Sequence, residues 1–386
     1  MSVSDLPPEI FDAIIDELRD DKKSLLEASL ACRAFYPRTR VYLFSVASLS
    51  SATECSYLHE LITRSPQLAL HFKSLKIAVL YPSHTVPLSL YGALSVTEFL
   101  VNVTHLSLRA GDWRYMPDSV VSSLQSRSYR SLEVNFQFYF RSIGEICSLL
   151  RNSPNLQQVR IDCRDSSIAE IQECDVDHSV HHTAVPAMVC IGNFEDDAGA
   201  LLKSVLSSRS CPFSCSNVHT LRITSKTGLP QCLNQYLSRS PSSLKHLYIV
   251  HPYKATGTIQ LGTLHISGVE QITVAVFRQA QILEWWISNL SAVNEHCVIS
   301  SITFKILVCN PRLQEGHPVL GWEDIWTRLD GCLTSNKMAS LKRVTITFDP
   351  QPADWDILKA EIEEKFLGLK KLGREVILDA VACRRF

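Results

Sequence analysis

The sequence predicts an α/β chain: a short N-terminal module of three helices, then a solenoid of strand–helix repeats with a parallel sheet on the concave face and helices outside. Three observations predict it. A six-residue pattern, apolar-x-x-apolar-x-apolar, recurs along most of the chain. Stretches of helical periodicity lie between its copies. The stretch from Leu6 to Phe44 reads instead as a compact helical unit.

Taken in order, Pro7 and Pro8 suit the first turn of a helix, with Asp5 as a cap upstream and Glu9 near the positive helix start. Ile10, Ile14 and Leu18, with Ala13 beside them, recur at helical spacing, while Asp12, Asp16, Glu17 and Arg19 take the other face. The run Asp20-Asp21-Lys22-Lys23 ends this pattern and starts a second helix. There Leu25, Leu26, Ala28, Ser29, Leu30 and Cys32 are apolar or small almost all round. Pro37 opens a third helix ending in Val41, Leu43 and Phe44. Three short helices bury little, so the surplus apolar surface must meet the rest of the chain or a partner.

These residues, in this order, resemble an F-box. Leu6-Pro7 and Glu9-Ile10 match its opening, and Ile14 and Leu18 match its first helix. Leu25, Leu26, Leu30, Cys32, Arg33 and Phe35 match its leucine-rich second helix and Cys-Arg-x-aromatic end, and Leu43-Phe44 matches its closing pair. Phe35 stands where that family usually has Trp, and Ala31 where Val is common. The resemblance implies a module, residues 1–48, that binds a Skp-type adaptor and through it a cullin. It places Leu6, Pro7, Ile10, Ile14, Leu18, Leu26, Leu30 and Phe35 on the adaptor face.

From residue 49 to 386 the chain is repetitive. Copies of the pattern begin at Phe72, Val103, Tyr129, Leu156, Val218, Leu244, Val269, Ile299 and Leu341, mostly 25 to 31 residues apart, with a double gap between Leu156 and Val218. Weaker copies begin at Pro186, inside that gap, and at Gly373. The second and third apolar places alternate as on one face of a strand. Helical periodicity covers Tyr57–Thr63, Ser142–Arg151, Asp196–Ser207, Leu229–Arg239, Ala280–Ala292, Trp322–Thr334 and Trp355–Leu369. A unit this short cannot cover its own apolar face, so neighbours stack. The arrangement resembles a leucine-rich-repeat solenoid, and an F-box ahead of degenerate repeats resembles fungal F-box proteins. It departs from the usual repeat after the strand: Gly111, Arg164, Lys226 and Pro252 stand where an Asn or Cys ladder is expected.

Composition narrows the chemistry. Of 386 residues 46% are hydrophobic and 20% charged, with net charge −1, which excludes the basic footprint of a nucleic-acid or anionic-membrane binder. No secretory signal or membrane-length apolar run is evident. The 13 cysteines are then expected to be reduced, buried thiols of a cytoplasmic or nuclear protein. Cys174, His178, His181 and His182 cluster in the longest loop, and Cys211 and Cys215 lie near His219. Neither group forms a paired metal motif. No nucleophile elbow, phosphate-binding glycine loop or His-Glu-x-x-His helix occurs. The expectation is a non-catalytic chain without cofactor or metal.

The face of the strands pointing away from the helices is the expected target surface. It carries His105, Arg109, Gln158, Arg160, Arg222, Thr224, His246 and Tyr248. Arg222 and Tyr248 hold equivalent places in consecutive copies and should sit about 5 Å apart on neighbouring strands. An Arg–aromatic pair of this kind suits an acidic or phosphorylated segment. The chain therefore reads as the substrate-recognition subunit of a Skp–cullin–F-box ubiquitin ligase. The alternative is a repeat scaffold whose N-terminal helices only cap the solenoid. A metal-dependent enzyme using the His178–His182 loop ranks last.

Overall fold

The structure is a computed structural model that describes residues 7–79, 88–140, 142–163, 186–193, 218–224, 231–239, 243–251, 263–277, 280–293, 297–307, 322–352 and 354–382. It is a mixed α/β chain with twelve parallel strands among the described residues. Contacts group the described residues up to Cys163 into one compact unit and those from Pro186 onward into a second.

In the first unit, α1 (Pro8–Glu17), α2 (Lys22–Ala31) and α3 (Tyr36–Leu43) precede β1 (Val46–Leu49), α4 (Ala52–Arg64) and β2 (Ser74–Ala78). Then come α5 (Leu88–Ala93), β3 (His105–Asp112), α6 (Asp118–Gln125), β4 (Ser131–Tyr139), α7 (Ile143–Leu150) and β5 (Gln158–Cys163). The strands pair in parallel in sequence order, β1 to β5. In the second unit β6 (Met188–Asn193), β7 (Thr220–Thr224), α8 (Gln231–Arg239), β8 (His246–His251) and β9 (Gln271–Val276) come first. They are followed by α9 (Ala280–Ser291), β10 (Ser301–Leu307), α10 (Glu323–Leu333), β11 (Arg343–Asp349), α11 (Trp355–Lys365), α12 (Leu367–Lys371) and β12 (Glu375–Ala380). Here too the strands pair in parallel and in order, β6 to β12.

Every copy of the six-residue pattern, the two weak ones included, is a strand. Its second and third apolar places are aligned partners across the sheet: Leu75 with Leu106, Leu221 with Leu247, Ile302 with Val344. From β2 to β11 these side chains are buried, as are the first places from Phe72 to Leu341, while Val376 and Leu378 of β12 are half-buried. The stacking thus buries one apolar ladder per place, the main driving force of such a chain. One copy escapes a reading of the sequence. Phe44-x-x-Ala47-x-Leu49 is β1, with Ala47 opposite Leu75 and Leu49 opposite Ile77. The small Ala47 hides the pattern, and Phe44 was already accounted for as the end of a helix.

The missing Asn ladder is replaced by two other devices. Ahead of most strands a single carbonyl accepts two successive N–H groups from the next repeat: Ser45 from Lys73 and Ser74, Lys73 from Thr104 and His105, His219 from Lys245 and His246, Ser300 from Lys342 and Arg343. Asparagines placed elsewhere also reach between repeats, as Asn102 and Asn152 donate to the carbonyls of Leu70 and Gln125, and Asn289 accepts from the Leu264 N–H. Each satisfies a backbone group that would otherwise be stranded at a repeat junction.

α5 and α6 form over stretches that are not among the segments of helical periodicity, and the single helix expected over Trp355–Leu369 breaks at Phe366 into α11 and α12. The segment Asp196–Ser207 lies outside the described residues. Of the late tryptophans, Trp286, Trp322 and Trp326 are buried, and Trp285 and Trp355 half-buried.

Candidate partner-binding surfaces

The N-terminal helices hold together through residues other than the expected stripe. Phe11, Ile15 and Leu25 are buried, and the Phe11 ring meets Phe35 edge-on at 5.6 Å. Asp21 caps α2, accepting from the N–H groups of Lys23 and Ser24. Asp16 accepts from Arg38 Nε at 2.6 Å, Arg38 Nη2 at 2.7 Å and the Tyr42 hydroxyl at 2.7 Å, which ties α1 to α3. Arg38, then Tyr42, pull the Asp16 carboxyl below its ordinary range.

With the inner side filled this way, other apolar chains are left outside. Ile10 and Ile14 on α1 are each 46% exposed, and Leu26 and Leu30 on α2 are 53% and 81% exposed. Pro7 is exposed, while Leu18 is half-buried at the end of α1. Phe35 is half-buried against Phe11, so it serves the module's own core. Leu6 lies outside the described residues. Exposed branched chains at i,i+4 spacing on two short helices have no role in the module's own packing. Below them the module is fastened to the repeats: the Phe44 ring meets Phe72 edge-on at 6.1 Å, and Ser45 supplies the carbonyl for β2.

Of the eight residues expected on the outward strand faces, His105, Arg109, Arg160, Arg222, His246 and Tyr248 are not equivalent. His105 is exposed at the start of β3, its Nδ1 3.0 Å from Thr104 Oγ1. Arg109 sits where the register of β3 slips against both neighbours, since Ala78 and Gln137 pair with Ala110. It falls out of the row it was expected to join, because a bulge inserts one unpaired residue. Arg160 faces Glu133 across the sheet and is neutralised: its Nε donates to Asp162 at 2.7 Å and its Nη1 lies 3.6 Å from Glu133. Ser107 donates to the same Glu133 at 2.9 Å. Arg160, Glu133 and Asp162 thus spend their charges on one another.

Arg222 in the second unit has no such carboxylate among the described residues. The register sets Arg222 opposite Tyr248, and the guanidinium lies over the ring, 4.5 Å from its centroid. Lys305, from β10, reaches the same ring at 5.6 Å. His246 stands two places before Tyr248, its ring 6.3 Å away, and its Nε2 shares a 2.9 Å hydrogen bond with Thr273. Burial, then the charge of Lys305, lowers the His246 pKa. Burial raises the Tyr248 phenol, and Arg222 opposes it. Lys305 was missed because the pattern compares like places on consecutive strands, whereas Lys305 reaches Tyr248 from two strands away and two places further along.

Among the described residues no group of three or more His, Cys, Asp or Glu is placed to hold a metal ion. Cys174, His178, His181, His182, Cys211 and Cys215 lie outside the described residues. The described free thiols include buried Cys55, which burial pushes up to about 11, the profile of an inert packing residue. No described helix is long and apolar enough to cross a membrane. Compared with protein-family models and with curated proteins, the chain matches none.

Proposed function

We propose that the chain is the substrate-recognition subunit of a Skp–cullin–F-box ubiquitin ligase, working in the cytoplasm or nucleus. In this reading α1 and α2 bind a Skp-type adaptor, and through it a cullin, while the outward strand face binds a target protein. It performs no bond chemistry. It raises the effective concentration of target lysines near the charged ubiquitin carrier. The observation that carries it is the exposure of Ile10, Ile14, Leu26 and Leu30, four of the eight residues the F-box resemblance assigns to the adaptor.

The test is co-purification of a Skp-type adaptor with Ile10→Asp and Leu26→Asp variants. Both positions are exposed, so melting temperatures should hold while adaptor binding falls at least ~100-fold, the scale of losing a buried apolar anchor to a charge. Retention of the adaptor by both variants would sink the assignment.

A second reading, that the helices only cap the repeats, draws on the Phe44–Phe72 contact and the Ser45 carbonyl. It predicts no adaptor in any pull-down, and loss of strand β2 protection from hydrogen exchange when residues 1–44 are removed.

A further inference from the structure

We infer that the outward face of β7 to β10 holds an anion-recognition site, built by Arg222, Lys305 and Tyr248, that takes a carboxylate or phosphate group carried on an extended segment of a partner protein. The inference deepens the target-binding half of the proposed function and rests on it.

Two cations converge on one ring here, Arg222 at 4.5 Å and Lys305 at 5.6 Å from its centroid. Cation–π attraction positions them, but it leaves their charges uncancelled. Among the described residues neither has a carboxylate partner, and both are half-buried, which limits the water available to screen them. The residues in register with Arg222 and Tyr248 are Cys190 on one side and Thr273, Thr303 and Thr345 on the other, so the row brings hydroxyls and no negative charge. Beside Lys305 in its own row stands Ala275, whose small side chain leaves the lysine head unobstructed. Two other outward cations are answered by carboxylates, Arg160 by Glu133 and Asp162, and Arg343 by Glu375 at 2.6 Å. The unpaired guanidinium supplies a planar fork for a carboxylate or phosphate, the ammonium a second positive point, and the threonine hydroxyls further donors.

The shape of the site selects a polypeptide carrier. It lies on an open strand face, where a lone anion meets little beyond charge. A chain lying along the strands adds apolar contact with the Tyr248 ring, the usual composition of a binding hot spot.

The test is fluorescence anisotropy with the purified full chain at low salt. The probes are a fluorescein-labelled peptide alternating glutamate and glycine, its phosphoserine counterpart, its glutamine counterpart and a single-stranded oligonucleotide. We expect one or both anionic peptides to bind and the glutamine peptide not to, and the tighter of the two identifies the anion. Arg222→Gln and Lys305→Gln should each weaken binding about tenfold, while Arg343→Gln, whose cation is already paired, should change it less than about twofold. Equal weakening by Arg343→Gln, no effect of either cation variant, no binding above the glutamine control, or tighter binding of the oligonucleotide would each overturn the inference. The assay contains no adaptor, so its failure leaves the adaptor assignment standing. Failure of the adaptor test, in turn, does not alter the anisotropy result.

Discussion

Arg160 in the first unit and Arg222 in the second occupy the same place in the repeat, the outward position between the second and third apolar residues. They meet opposite fates. The residue in register with Arg160 is Glu133, and Asp162 lies two places along its own strand, so the guanidinium is consumed within the fold. The residue in register with Arg222 is Tyr248, whose ring also draws a second cation, Lys305. A repeat thus sets where an arginine points and not what it is free to do. The neighbouring side chains decide that: the directly opposed one on the adjacent strand, whose Cβ lies about 5 Å away, and those two places along, which long side chains still reach.

The units also differ in how they bury a base. In the first, Arg127 remains a cation, donating to the Thr97 carbonyl and the Ser123 hydroxyl. In the second, His251 is buried among Trp285 and Trp286 and accepts from the Trp286 indole N–H at 3.2 Å. That bond requires an unprotonated acceptor nitrogen, and burial holds the His251 pKa down at about 4.

The largest expected contrast follows from this pair. Unfolded, His251 takes up a proton near pH 6.5; folded, it does so only near pH 4. Between those values the unfolded chain binds more protons, so stability contributed by His251 is complete above pH 6.5 and lost as pH falls toward 4, about 3 kcal/mol in all. Hydrogen exchange should show β8 to β10 losing protection across that window ahead of β2 to β4, and His251→Gln should flatten the difference. Simultaneous loss in both units would break the contrast.

A smaller effect should fall on the first unit alone. Gly111, next to last in β3, has φ +143°, and a Cβ there would stand 3.0 Å from the Phe138 ring. Gly111→Ala should cost about 2 kcal/mol, read as lower protection of β3 and β4 with β8 to β10 unchanged. The smallest effect on stability sharpens the electrostatic contrast most directly. Glu133→Gln with Asp162→Asn should shift stability by about 1 kcal/mol: Asp162 is buried, but the amide oxygens still accept from the half-exposed Arg160 and only the charge is lost. Made in an Arg222→Gln background, it should restore measurable binding of the acidic peptide by freeing Arg160. No gain would mean that the tyrosine or the second cation, and not the free guanidinium, makes the site.

Much of this architecture was legible before any coordinates. The pattern located eleven strands and most of the helices between them, because burial of two alternating apolar places is a local demand that each repeat must meet by itself. The Arg222–Tyr248 pairing followed from counting places, and the same counting applied to Glu133 and Arg160 reveals that pair as well. Arg109 could not be read this way, since one bulged residue resets the count. On α1 the apolar positions identified as a stripe, Ile10 and Ile14, proved to be the outer side, because Phe11 and Ile15 offered an equally good stripe one residue on.

The sequence by itself thus determined eleven of the twelve described strands, their parallel order and the direction of most outward side chains, because these follow from periodicity and short-range sterics. Only the tertiary structure decided which side of α1 is left exposed, that Phe44 closes the helical module and opens the first repeat at once, and that Lys305 shares the Tyr248 ring with Arg222. Each depends on the packing of side chains distant in sequence. Such contacts are set by reach and by competition for space, which no local pattern records.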